Sequence, residues 1–211
     1  MKWLLALLVV AGCTTRSPKA PVPDDRPAAI AIKPQSTVIR TGQVGVGQRE
    51  IVTYTYVDVE NPSKIDRLVT LEGALLDDHG ASLAPLPADE LRIPAGATRT
   101  FALVATKAVP AASASFRVAN AVAVDYPPQV ALSDEEFTPG PVPVATAKIK
   151  NTLDRDVSAV AATTFYDAAG TILARPFTVV LINAGRTRQL RFEGPPAAVR
   201  AQTFAGQVAF H

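Results

Sequence analysis

From Thr55 to Glu60 the chain alternates. Thr55, Val57 and Val59 fall on one parity, while Asp58 and Glu60 fall on the other. The pattern returns further on, with Ala145, Ala147 and Ile149 set against Lys148 and Lys150. A period of two predicts a half-buried β-strand. An apolar strand follows each time, RLVTLEGALL or VSAVAATTFY, and then a tight turn, DDHG or DAAG. In such turns the aspartate caps the backbone and the glycine supplies a positive φ. A short strand and a loop come next, and PAG or NAG leads into another strand. Each stretch closes on an alternating segment, FRVANAVAV (116–124) or FAGQVAF (204–210). PADEL (87–91) predicts a single helical turn, and no longer helical period follows residue 35. Short strands with frequent turn signals predict an all-β fold of antiparallel sandwiches.

The stretches are copies of one another. VDVENPSKIDRLVTLEGALLDDHGASLA (57–84) aligns without a gap on AKIKNTLDRDVSAVAATTFYDAAGTILA (147–174), an offset of ninety residues. Asn61 falls on Asn151, Asp77 on Asp167 and Gly80 on Gly170. After a one-residue adjustment AGATRTFAL (95–103) matches AGRTRQLRF (184–192). The identities sit on turn residues, which predicts two tandem domains, residues 36–126 and 127–211. VDYPPQV lies between them. Pro127 and Pro128 restrict the backbone there and bias Tyr126 to an extended conformation, so an end-to-end joint through a short, semi-rigid elbow is expected.

The second copy resembles the FxLYD-type immunoglobulin-like domains of bacterial envelope proteins: a strand, Asn-Thr, Asp, an apolar strand ending at Phe-Tyr-Asp, Gly, and a Gly-Arg-Thr turn. LRIPAGATRTFALVATKAVPAASASFRV in the first copy is similar to small outer-membrane lipoproteins of the YcfL kind. These resemblances imply immunoglobulin-like sandwiches in a non-enzymatic lipoprotein of the cell envelope, and they bring no catalytic residues with them.

The start of the chain agrees. MKWLLALLVVAGC joins a positive residue, Lys2, to an apolar run and a small-residue site, the plan of an export signal over residues 1–12. The run is about half of the ~20 residues that a membrane-crossing helix needs. Val10-Ala11-Gly12-Cys13 resembles a bacterial lipobox, which implies cleavage before Cys13 and acylation of its thiol. Cys13 is the only cysteine in the chain, so it has no intramolecular disulfide partner. Thr14 follows it in place of the aspartate that favours inner-membrane retention. The resemblance therefore implies a lipid-anchored protein of the outer membrane that faces the periplasm. Residues 13–35 carry the anchor and five prolines, a composition that predicts an extended tether.

Candidate chemistry is sparse. The histidines are His79, in the DDHG turn, and His211. Asp77, Asp78 and His79 are adjacent on a tight turn and converge poorly on one metal ion, so capping is the better reading and no metal or other cofactor is expected. Without a suitably placed histidine there is no serine triad. Asp89-Glu90 and Asp134-Glu135-Glu136 read as solvated loop charge, and GQVGVGQ (42–48) reads as a loop. Residues 36–125 hold eight basic and ten acidic side chains, and 126–211 hold eight and seven, a balance that argues against nucleic acid.

Four positions stand out as candidate partner contacts: Tyr126 at the elbow, Phe137 among prolines and acids, and Lys148 and Lys150, which replace Asp58 and Glu60 of the first copy. The bland alternatives are that Phe137 folds back on the core and that the charge reversal is drift on a solvated face. In GRTRQLRF, Arg188 shares parity with Leu190 and Phe192 and is expected to lay its stem over the core. The function expected is that of a non-enzymatic envelope adaptor holding a protein partner, for example at a sheet edge. The alternative is a module for a small ligand or glycan, which needs a concave pocket with converging polar groups.

Overall fold

Alternating strands with one apolar face must bury that face against another sheet. In the computed structural model, which describes residues 30–44 and 50–210, they do so in the same way twice. Cys13, residues 1–12, most of the tether and His211 lie outside the described residues.

In the first half β1 (Ala31–Val44), β2 (Glu50–Glu60) and β5 (Thr98–Val104) form one sheet in the order β1-β2-β5. β3 (Arg67–Leu76), β4 (Ser82–Ile93) and β6 (Ser113–Ala123) form a second, in the order β4-β3-β6. In the other half β7 (Val130–Thr138), β8 (Val144–Asn151) and β12 (Thr187–Glu193) reproduce the first sheet as β12-β8-β7. The second sheet is reproduced by β9 (Val157–Tyr166), with β10 (Ile172–Ala174) and β11 (Phe177–Ile182) along one side and β13 (Arg200–Phe210) along the other. Every pairing is antiparallel, and no helix occurs among the described residues. The fold is all-β, consistent with immunoglobulin-like sandwiches.

The alternation points where the sequence predicts. Val57, Val59, Val69, Leu71, Phe101 and Leu103 close the first core. Ala145, Ala147, Ile149, Val157, Ala159 and Phe165 close the second. Each fully buried Val, Leu, Ile or Phe contributes about 1.5–3 kcal/mol. The alanine-rich second core has fewer such side chains, and Phe165, Phe192, Ile149 and Ile182 fill it. The DDHG and DAAG turns are as expected: Gly80 and Gly170 have φ of 82° and 83°, and Asp77 and Asp167 cap them.

Several expectations are corrected. The tether ends early, because Ile32 and Lys33 already pair with Val59 and Asp58 and the Lys33 ammonium lies 2.9 Å from Glu60. PADEL is strand, held in β4 by pairing with β3 (Thr70↔Glu90, Leu71↔Asp89), so neighbouring backbone overrides the local helical signal. GQVGVGQ begins inside β1, with Gly42 paired to Val52; residues 45–49 lie outside the described residues. Arg188 has the expected parity and is exposed, paired in register with the fully buried Ile149 of β8.

The elbow is not the sole joint. β9 is buried on both faces from Ala161 to Tyr166. Its inner face meets its own sandwich, whereas Ala162, with Phe204 of β13, belongs to the core cluster of the first half. At the same contact Asp58, only 8 % exposed, accepts hydrogen bonds from Thr100 Oγ1 (2.6 Å) and from the Tyr166 hydroxyl (3.3 Å). Asp58 is therefore not a drifting solvated charge, as the bland reading has it: it seats the second half on the first.

Candidate functional site

The segment linking β6 to β7 is pinned from both sides. Arg92 of β4 donates Nε and Nη2 to Asp66 Oδ2 (2.9 and 2.7 Å) and Nη2 to the Tyr126 carbonyl (2.9 Å), and its guanidinium lies 5.5 Å from the Tyr126 ring centroid. Hydrogen bonding from Arg92 holds the Asp66 carboxyl below the usual carboxylate range. On the other side the Thr152 hydroxyl donates to the carbonyls of Pro128 and Gln129.

Beside this segment the halves leave a groove of about 680 Å³. Leu68, Phe204, Val208 and Phe210 give it apolar walls; Arg92, Arg99, Glu90 and Glu135 give it charge. Most of those charges are engaged. Arg92 is bound by Asp66, and Glu90 accepts from the Thr70 hydroxyl at 3.1 Å. Arg99 differs: its one hydrogen bond among the described residues, from Nη1, goes to the carbonyl of its neighbour Thr98, and its guanidinium stands 5.6 Å from the Phe204 ring centroid. Burial lowers the Arg99 pKa, and the largest charge opposing that shift is Glu135, across the groove on β7.

The second feature is β11. It pairs with β9 on one side and with no strand among the described residues on the other. Phe177, Val179 and Leu181 are 52, 61 and 52 % exposed, and they share a face with Ala162, Val160 and Ser158 of β9. Registers make the comparison between halves direct. Thr70↔Glu90 and Leu68↔Arg92 in the first half correspond to Val160↔Val179 and Ser158↔Leu181 in the second. Where the first half presents Glu90 and Arg92, the second presents Val179 and Leu181. On the first-half face Glu90 and Arg92 line the groove, with β13 on its other wall, while Gly206 of β13 meets Leu91, which belongs to the first core. Nothing among the described residues covers its β11 counterpart.

The four candidate contact residues do not come together. Tyr126, 48 % exposed, lies on the groove. Phe137 packs on the second core with its ring 6.4 Å from that of Phe165, so it is structural. Lys148 and Lys150 are exposed on the far face of β8, where Lys148 pairs with Asp134 at 2.7 Å. The acidic pairs read as loop charge stand instead on strands, and burial raises the Asp89 pKa, with Arg175 as the chief opposing charge. The β11 stripe leaves a trace in the uncharged run FTVVLI, visible when set against its charged counterpart in the first copy. The trace of Arg99 in the sequence is its alignment with Arg188, AGATR on AGRTR.

No family model matches the chain, and no curated protein matches it.

Proposed function

We propose that this chain is a non-enzymatic, lipid-anchored protein of the cell envelope that holds a protein partner by adding a segment of it to the β11 edge. The observation that carries the reading is the uncharged stripe Phe177–Val179–Leu181 on an edge with no neighbouring strand. Proteins ordinarily blunt such edges with lysine, proline or a bulge. Strand addition satisfies the bare main chain and seats alternate side chains. The lipobox-like Val10–Cys13 supports an anchor through acylated Cys13, and Thr14 supports placement at the outer membrane facing the periplasm. Asn61 and Asn151, both fully buried, are occupied with holding turns, a structural role.

The test is in-cell crosslinking from a photoreactive residue at Leu181, with mass spectrometry of the adducts. The expected result is one recurrent envelope protein, lost when Val179→Lys is added, together with slowed amide exchange along β11 in the isolated complex. A well-expressed protein that gives no protein adduct, or adducts indifferent to Val179→Lys, would sink the proposal. Cys13→Ala is expected to leave the protein unanchored; co-fractionation of that variant with membrane as in wild type would refute the anchor.

A further inference from the structure

The groove between the halves has a chemistry of its own, separate from the β11 edge. Arg99 on its first-half wall has donors beyond the single bond to Thr98, and it forms no ion pair among the described residues. Glu135 on the second-half wall has no hydrogen-bond or ion-pair partner among them either, because the Asp134 carboxylate beside it holds Lys148. The two charges influence each other without forming an ion pair. An unpaired cation and an unpaired anion on facing walls match a ligand that carries both signs.

What lies between them selects the body of that ligand. Phe204 and Val208 offer apolar surface. Among the described residues β13 pairs with β9 alone, and none of their strands takes up the main-chain groups along its other edge. A bulge between Ala205 and Val208 sets Gly206 and Gln207 opposite Val160 and places both on the groove. Main-chain donors and acceptors beside apolar surface suit a peptide backbone better than an acyl chain, which has nothing to offer them. The volume, about 680 Å³, lies within the range of sites that enclose small ligands.

We propose that the groove binds a short apolar peptide in its zwitterionic form, with the terminal carboxylate on Arg99 and the terminal ammonium at Glu135. Arg92 does not compete for the carboxylate, since Asp66 already holds it. A dianion such as phosphate is disfavoured by the carboxylates of Glu90 and Glu135 on the same groove.

The probe is trileucine, titrated calorimetrically into the full-length protein in detergent and compared with its C-terminal amide and its N-acetyl derivative. A charge-assisted hydrogen bond contributes about 1.5–3 kcal/mol, which corresponds to a loss of roughly 10- to 150-fold in affinity when either terminus is blocked. In Arg99→Gln trileucine and its amide are expected to bind alike. In Glu135→Gln trileucine and its N-acetyl derivative are expected to bind alike. Arg99→Lys keeps part of the carboxylate preference, which separates loss of charge from loss of fold. Val179→Lys leaves trileucine binding unchanged, so failure here is distinct from failure at β11. The proposal is overturned if trileucine shows no saturable binding, if blocked termini bind as well as free ones, or if Arg99→Gln still prefers the free carboxylate.

Discussion

Asn61 and Asn151 show at the level of single side chains what the duplication preserves. Both are fully buried. Asn61 Nδ2 donates to the carbonyls of Ile65 (2.8 Å) and Ile93 (3.0 Å), and Asn151 Nδ2 donates to those of Arg155 (2.7 Å) and Ile182 (3.0 Å). Each ties the turn after its own strand to the end of a distant one. Asp66 and Asp156 repeat a second device, accepting from the amides of Ala95 and Ala184. Asn61→Ala and Asn151→Ala each strand buried carbonyls and are expected to cost about 2–3 kcal/mol in urea unfolding. A loss under about 0.5 kcal/mol would mean that water replaces the amide. Tyr166 adds a pH dependence. Burial, and then the Asp58 charge, raise its pKa above the ordinary ~10. The stability it contributes is therefore complete below pH ~10 and is lost as pH rises through the folded-state value. Tyr166→Phe is expected to cost about 1–2 kcal/mol at neutral pH, through the bonds to Thr100 and Asp58, and to flatten the alkaline decline. Tyr56, whose pKa burial also raises, contributes to the decline that remains.

Among the elements, β4 and its counterpart show how copies diverge. β4 runs unbroken from Ser82 to Ile93, whereas Arg175 and Pro176 split the equivalent stretch into β10 and β11. Pro176 has no amide to donate, and its carbonyl instead accepts from Thr163 at 3.0 Å. The result is a short, free strand, FTVVLI, without charge or proline. Val179→Lys is expected to change stability by less than about 0.5 kcal/mol, since the site is exposed, while lowering self-association in light scattering. A large loss of stability instead would show that the stripe is packed in solution. The strands themselves were legible: period-two alternation located β2 and β8, apolar runs located β3 and β9, and the DDHG and DAAG turns bounded the latter two. PADEL was misread because a five-residue local signal says nothing of the strand beside it.

At the scale of the whole molecule, the elbow was legible from Pro127-Pro128, but the packing beside it was not. Sequence periodicity reports whether a face is apolar, and β9 reads AVAATTFY whether one face is covered or both. That the outer face is covered by the other half is a fact of three dimensions. Phe204 is the sharpest instance: a residue of β13, 1 % exposed, whose core cluster includes Val57, Leu91 and Phe101 of the first half. Phe204→Ala is expected to cost about 3–5 kcal/mol, and amide exchange shows where that loss falls. If the halves fold as a coupled pair, β4 and β5 lose protection together with β13, although the substitution lies outside their half. Loss confined to β9 and β13 would show that the halves are independent beads on a stiff linker. The distinction reaches the groove, because Arg99 and Glu135 face each other across the same junction. Proline restricts the elbow locally but does not fix the angle between two sandwiches. The contact through Phe204, Asp58 and Tyr166 joins the two halves beside the groove, and Phe204→Ala, which also removes the ring beside Arg99 and part of the apolar wall, is expected to weaken trileucine binding.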